Sequence, residues 1–207
     1  MLRLSSLLLL ASLTLVVAAT QAPVAHADVE IGKAAPGFKL TDTNGKTHQL
    51  SDFKGKYVVL EWLNYDCPFV KKHYGSGNMQ STQKKAEAKK AVWLSIVSSA
   101  KGKQGNYAAA ELNKMSEERK ATPTAILVDE DGTVGHLYDA KTTPHMFIIN
   151  PKGTLIYKGA IDDKASTDAE DIKGAKNYVL MALDEATAGK NVTDSSTKPY
   201  GCGVKYN

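Results

Sequence analysis

The chain has 207 residues, 43% hydrophobic and 23% charged, which suits one packed domain and excludes a disordered or fibrous chain. Its formal charge of +4 is mild, and the densest basic group (Lys84, Lys85, Lys89, Lys90) has no interleaved aromatics, so a solvated face is read there and no nucleic-acid partner is expected. Two cysteines, 135 positions apart, exclude a disulfide-dense scaffold and any standard zinc spacing.

Arg3 precedes an apolar run from Leu7 to Ala19, and Ala25-His26-Ala27 has the small-x-small form of a cleavage site. Residues 1–27 therefore read as a secretory signal peptide. The run is too short and too interrupted for a spanning helix of about 20 residues. A mature chain beginning near Asp28 is expected outside the cytoplasm, secreted or periplasmic, without membrane insertion. Arg3 is the only Lys, Arg, Asp or Glu in the leader, so the formal charge falls from +4 to +3 on its removal. One domain is predicted over 28–190, followed by a flexible tail over 191–207 that carries Cys202.

Within that domain, segments around Phe38-Lys39-Leu40 and Thr47-His48-Gln49-Leu50 are predicted strands joined by an Asn44-Gly45 hairpin turn. Val58-Val59-Leu60-Glu61-Trp62-Leu63 is an apolar, β-branched run of strand length. Asn64 and Asp66, both helix-capping types, follow it, and then Cys67-Pro68. Proline is tolerated in a helix only at its first turn. Strand, tight turn and helix are thus predicted, with Cys67 at the helix N-terminus.

The helix runs to about Tyr74, is interrupted by Gly75-Ser76-Gly77, and resumes from about Met79 to Lys90. Further strands are predicted at 91–98 and 124–128, a helix at 106–119, a short helix or turn at 134–140, a hairpin at 146–158 and a last helix at 174–189. In that last helix Tyr178, Leu180, Met181 and Leu183 are expected to pack. Asp129-Glu130-Asp131-Gly132 is a turn; a calcium loop starting there would have Ala140 at its bidentate position, which excludes calcium.

Cys67 is the candidate nucleophile. Unpaired N–H groups and the positive end of the helix dipole favour a thiolate there, with pKa values of about 3.5–7.5 known for such cysteines. The neighbouring Asp66 opposes this. Read otherwise, Cys67 is a small buried hydrophobe or half of a structural disulfide. Cys202, between Gly201 and Gly203, is a candidate resolving thiol, half of a static disulfide, or a free tail thiol. Asn64 is a candidate hydrogen-bond donor to a substrate, or a turn residue. Pro68 is a candidate to line the groove, and Trp62 reads as core or groove lining. His73 is expected to be solvated.

Strand-turn-helix with Cys67-Pro68 at the turn resembles the active-site segment of the thioredoxin-like superfamily. The chain is most similar to its peroxiredoxin-like branch, the alkyl hydroperoxide reductase/thiol-specific antioxidant redoxins, over roughly 31–190. The resemblance implies an α/β fold: a central mixed β-sheet flanked by helices, with an N-terminal β-hairpin extension. It implies that Glu61 is a buried carboxylate moving protons to and from the thiol. It implies that Thr143-Pro144 is a cis-proline loop facing Cys67 and shaping the substrate groove. His145 directly after it is a candidate to meet substrate and tune the thiol, or a solvent-facing or hydrogen-bonded histidine. It implies an antioxidant oxidoreductase, without a cofactor, that attacks a peroxide or protein disulfide and takes electrons from an external thiol or thioredoxin-like donor.

This chain departs from the pattern in places. The second cysteine of a C-x-x-C pair is replaced by Val70. The peroxiredoxin Pro and Thr/Ser positions upstream of the nucleophile hold Leu60 and Asn64, and Pro144 stands at the usual arginine position; Arg119 is the sole arginine after the leader. These departures leave open a non-catalytic binding module, either a scaffold stapled by Cys67–Cys202 or a copper carrier using Cys67, Cys202 and His145.

Overall fold

A computed structural model describes residues 29–207; the expected signal peptide lies outside them. The central strand is β3 (Val58–Trp62). Its β-branched and aromatic side chains are buried on both faces, as a strand covered by helices on each side requires. It pairs in parallel with β4 (Val92–Val97) and antiparallel with β7 (His145–Ile149). Beyond β4 lies β5 (Ala125–Val128), parallel to it; beyond β7 lies β8 (Leu155–Gly159), antiparallel. The predicted N-terminal hairpin is β1 (Lys39–Asp42) and β2 (Thr47–Gln49), which adds to the β5 edge. The sheet order is β2-β1-β5-β4-β3-β7-β8. This is the mixed sheet with an N-terminal hairpin that the resemblance implies.

The period of two along each strand divides the core into two layers. Val59, Leu63, Trp93, Met146 and Ile148 face one side. There they meet α1 (Pro68–Gly75), α2 (Asn78–Ala88), α3 (Ala109–Glu118) and α5 (Tyr178–Thr187). Val58, Leu60, Trp62, Leu94 and Phe147 face the other, under α4 (Thr133–Leu137) and the N-terminal segment. Burial of each such large side chain contributes about 1.5–3 kcal/mol. Among the described residues no helix is long and apolar enough to cross a membrane.

Three expectations change. α5 buries Val179, Ala182 and Leu183, spaced i, i+3, i+4, while Met181 is 37% exposed. His73 is fully buried, since it lies on the face of α1 that the C-terminal tail covers. That tail, predicted flexible and without regular structure, is laid against the domain. Thr197 and Lys158 exchange backbone contact through Thr197 N–H to Lys158 O at 3.1 Å. Cys202–Gly203 then form β9, antiparallel to β6 (Thr142–Thr143) in a separate two-stranded sheet. Tyr206 ends the strap, stacked on His136 at 4.0 Å and donating to Ala140 O at 2.8 Å. These anchors are single side chains without a period, so no periodic pattern announces them.

Candidate active site

Cys67 caps α1, with Pro68 following at the first turn. The turn before it is closed by Asn64, whose Oδ1 accepts from the Asp66 N–H at 2.9 Å, and by Cys67 N–H to Asn64 O at 3.0 Å. Asn64 Nδ2 donates to Gln104 O at 3.3 Å, and the side chain is buried against Gly105. Asn64 thus acts as a turn residue here, the second of the two roles its position allows. The Asp66 carboxylate accepts from Tyr107 Oη at 2.8 Å.

The Thr143–Pro144 bond is cis, and the Thr143 carbonyl oxygen lies 3.0 Å from Cys67 Sγ. On the other side of Thr143 runs β9, which places Cys202 Sγ 2.7 Å from Cys67 Sγ. Both cysteines are free thiols in this arrangement. A disulfide, about 2.05 Å long, needs only a small side-chain movement from here. Gly201 makes the approach possible. Its φ is 144°, and a Cβ there would sit 2.1 Å from Thr143 O.

The two sulfurs differ. Cys67 is fully buried and Cys202 is half-buried. Burial pushes the Cys67 thiol up, but a hydrogen bond from Cys202 and the Val70 amide at the helix N-terminus outweigh it and leave Cys67 below the ordinary cysteine value. Cys202 is pushed up, by burial first and then by its hydrogen bond to Cys67 and the charge of Cys67. Ionisation of the pair therefore places the charge on Cys67.

Glu61 is fully buried on the same sheet face as Cys67. It accepts from Trp93 Nε1 and Ser95 Oγ, each at 2.8 Å, and from Tyr74 Oη at 3.0 and 3.1 Å. Burial raises its pKa, against the lowering effect of those hydrogen bonds. It makes no hydrogen bond to Cys67. Tyr74 stands seven residues along α1 from Cys67, roughly 10 Å of helix rise. Glu61 therefore ties the far end of α1 to the sheet.

Two residues expected in the groove lie on the opposite face. Trp62 and His145 are register partners between β3 and β7, so both point away from Cys67. Trp62 is fully buried against Tyr138 and Phe147 and donates to Ser98 Oγ at 3.0 Å. His145 packs on Phe147 at 4.5 Å and its Nδ1 accepts from the Lys141 N–H at 3.2 Å. Burial lowers its pKa to about 4. The ligand set Cys67, Cys202 and His145 is consequently not assembled, and no cluster of three His, Cys, Asp or Glu suited to a metal occurs among the described residues. Arg119 donates to Met115 O at 2.8 Å and lies over the Tyr65 ring, 4.7 Å from its centroid. Pro68 is exposed at the lip, beside half-buried Phe69. Sequence reasoning missed Gly201 and Tyr200 as parts of the site; glycines flanking a cysteine were the one available signal.

Comparison with known proteins agrees with this geometry. Residues 31–158 match the AhpC/TSA family. The thiol-disulfide oxidoreductase ResA of Bacillus subtilis is 32% identical over 125 residues, 60% of this chain and 64% of that protein, so the match leaves about a third of the relative uncovered. The peroxiredoxin Bcp of the same organism is 26% identical over 120 residues, 54% of this chain and 64% of the relative. Among solved structures, an uncharacterized conserved protein from Geobacillus kaustophilus superposes with a TM-score of 0.72 at 27% identity, covering 86% of this chain and 93% of that one. The thioredoxin domain of a thiol-disulfide oxidoreductase from Bacteroides vulgatus gives 0.50 at 20% identity, covering 70% and 96%, a likeness of fold. With the thioredoxin fold in place and more than half its length matched, the chain belongs to the AhpC/TSA family of redoxins.

Proposed function

We propose that this protein is an exported thiol–disulfide oxidoreductase that works through Cys67 and Cys202. The observation that carries the reading is the 2.7 Å separation of the two sulfurs, one of them at a helix N-terminus. In the reduced protein the Cys67 thiolate, reached when the strap carrying Cys202 lifts from it, attacks a disulfide R–S–S–R′. A Cys67–S–S–R bond forms and R′S⁻ leaves. Cys202, deprotonated as it attacks, then displaces RS⁻ and closes the Cys67–Cys202 disulfide. Two protein thiols are oxidised and one external disulfide becomes two thiols. In the reverse direction an outside thiolate meets the half-buried Cys202 sulfur first, and the leaving group is Cys67, the better-stabilised thiolate.

A disulfide is favoured over a peroxide as substrate because the peroxide-binding groups are missing. Leu60 is buried on the far face, the Asn64 side chain is engaged in its turn, and the Arg119 guanidinium is engaged by Met115 and Tyr65. The relative named a thiol-disulfide oxidoreductase supports the same choice. Export rests on the form of residues 1–27. The external donor that re-reduces the pair is a thiol or thioredoxin-like protein whose thiolate can reach Cys202.

Reduction of a model protein disulfide and consumption of hydrogen peroxide, each by wild type, Cys67→Ser and Cys202→Ser, test this. Disulfide exchange should fall at least a hundredfold in Cys67→Ser. Equal rates in wild type and Cys67→Ser remove the enzyme, and fast, Cys67-dependent peroxide consumption without disulfide exchange replaces the substrate.

A further inference from the structure

Tyr200 lies two residues before Cys202, where the strap turns into the domain. Its ring packs on Phe69, with 5.7 Å between centroids, and Lys72 Nζ stands 5.7 Å from the ring centroid. Its hydroxyl donates to Asp162 Oδ1 and lies 3.0 Å from His73 Nε2. His73 Nδ1 is 2.8 Å from Asn78 Nδ2. His73 and Asp162 are almost wholly buried, and burial holds the histidine's pKa near 4, so it is neutral at pH 7.

One proton arrangement satisfies every bond. The Asn78 amide donates to Nδ1, the Nε2–H donates to the Tyr200 oxygen, and the Tyr200 O–H goes to Asp162. The domain thus presents a donor and an acceptor, buried side by side, that are matched by one hydroxyl from the tail. A fully buried histidine on α1 has no such partner without it.

We propose that Tyr200 is a positioning residue: seated among Phe69, Lys72, His73 and Asp162, it holds Cys202 against Cys67 and keeps Cys67 covered. The inference rests on the exchange reading above and adds its control. Two residues span at most about 7 Å, so where the ring seats fixes where the sulfur can be. With the ring released, the nearest upstream anchor is Thr197, whose hydroxyl contacts Tyr157 and Ala160. Five residues then separate the sulfur from its upstream anchor, while the β6–β9 pairing, Val204 N–H to Lys141 O at 3.1 Å and the Tyr206 hydroxyl still hold it from downstream. Losing the Tyr200 seat frees the sulfur on one side and lowers its effective concentration at Cys67. The same release uncovers Cys67.

The pair is equilibrated with mixtures of reduced and oxidised glutathione. Glutathione disulfide is the oxidant: its S–S bond breaks, the Cys67–Cys202 bond forms, and both thiol protons pass to glutathione. Tyr200→Phe keeps the ring but leaves the buried His73 Nε2 and Asp162 Oδ1 without the hydroxyl that joins them, which weakens the seat; its closure constant should fall about tenfold, some 30 mV towards a more oxidising couple. His73→Gln alters the domain side and should shift the constant the same way. Lys198→Ala, an exposed neighbour, should leave it unchanged. In a Cys202→Ser background, Tyr200→Phe should speed alkylation of Cys67 about tenfold. A wild-type closure constant in both Tyr200→Phe and His73→Gln overturns the latch and leaves the exchange reading standing. Failure of the wild-type pair to close at any glutathione ratio overturns the exchange reading itself.

Discussion

Gly201→Ala tests the geometry of the site most directly. A Cβ at 201 would stand 2.1 Å from Thr143 O and 2.7 Å from its carbon, where contacts below 3.0 Å do not persist. Both are backbone atoms of the loop that faces Cys67, so neither can swing aside. The φ of 144° adds about 1–3 kcal/mol of strain for any residue with a side chain. β9 must therefore move by about 1 Å, and with it Cys202. A misplacement of that size costs on the order of a hundredfold in a reaction that depends on alignment. The assay is the rate at which reduced protein closes its disulfide after glutathione disulfide is added, read by acid quench and mass. Gly203→Ala, on the other side of Cys202, is the control, because its nearest Cβ contact is Lys141 O at 4.0 Å. Gly201→Ala should close about a hundredfold more slowly than wild type and Gly203→Ala within about threefold of it. A Gly201→Ala variant that closes as fast as the control would refute the argument that backbone approach at 201 places the sulfur.

Two more outcomes follow from the buried groups on either sheet face. The Glu61 carboxyl is held above its ordinary 4.5, so the stability linked to it is present below that value and lost as the pH rises through its folded pKa; urea unfolding between pH 4 and 8 should show a smaller loss on raising the pH in Glu61→Gln than in wild type, and identical pH profiles would refute the assignment. Trp62→Phe should lower stability by about 1–3 kcal/mol, through lost volume and the lost Ser98 bond, with exchange rates unchanged; a large loss of exchange in a fully folded variant would return Trp62 to the groove.

Much of the scaffold was legible in residue order because its signals are local. The β-branched run at 58–62 has strand length, Gly75 to Gly77 breaks the helical pattern, and proline after cysteine marks a helix start. Alternatives stayed open where the question became one of face. Trp62 adjoins Glu61 in the chain, and His145 adjoins Pro144, but a strand sends neighbours to opposite sides, so proximity in sequence to a site residue could not choose between groove and core for Trp62, or between the thiol and another hydrogen-bond partner for His145. His73 was placed in water because nothing within α1 reveals what arrives from residue 200.

Residue order alone determined the strand-turn-helix that sets Cys67 at a helix N-terminus, since that depends on propensities and capping over a few positions. Only the tertiary structure decided that Cys202 is its partner. The tail has no periodic pattern; it is held by Thr197, Tyr200 and Tyr206, each seated in a pocket made by distant segments, and by a glycine backbone passing a carbonyl. Such contacts depend on shape complementarity between parts of the chain more than a hundred positions apart in the cysteine pair itself, and that information exists only once the sheet and helices have assembled.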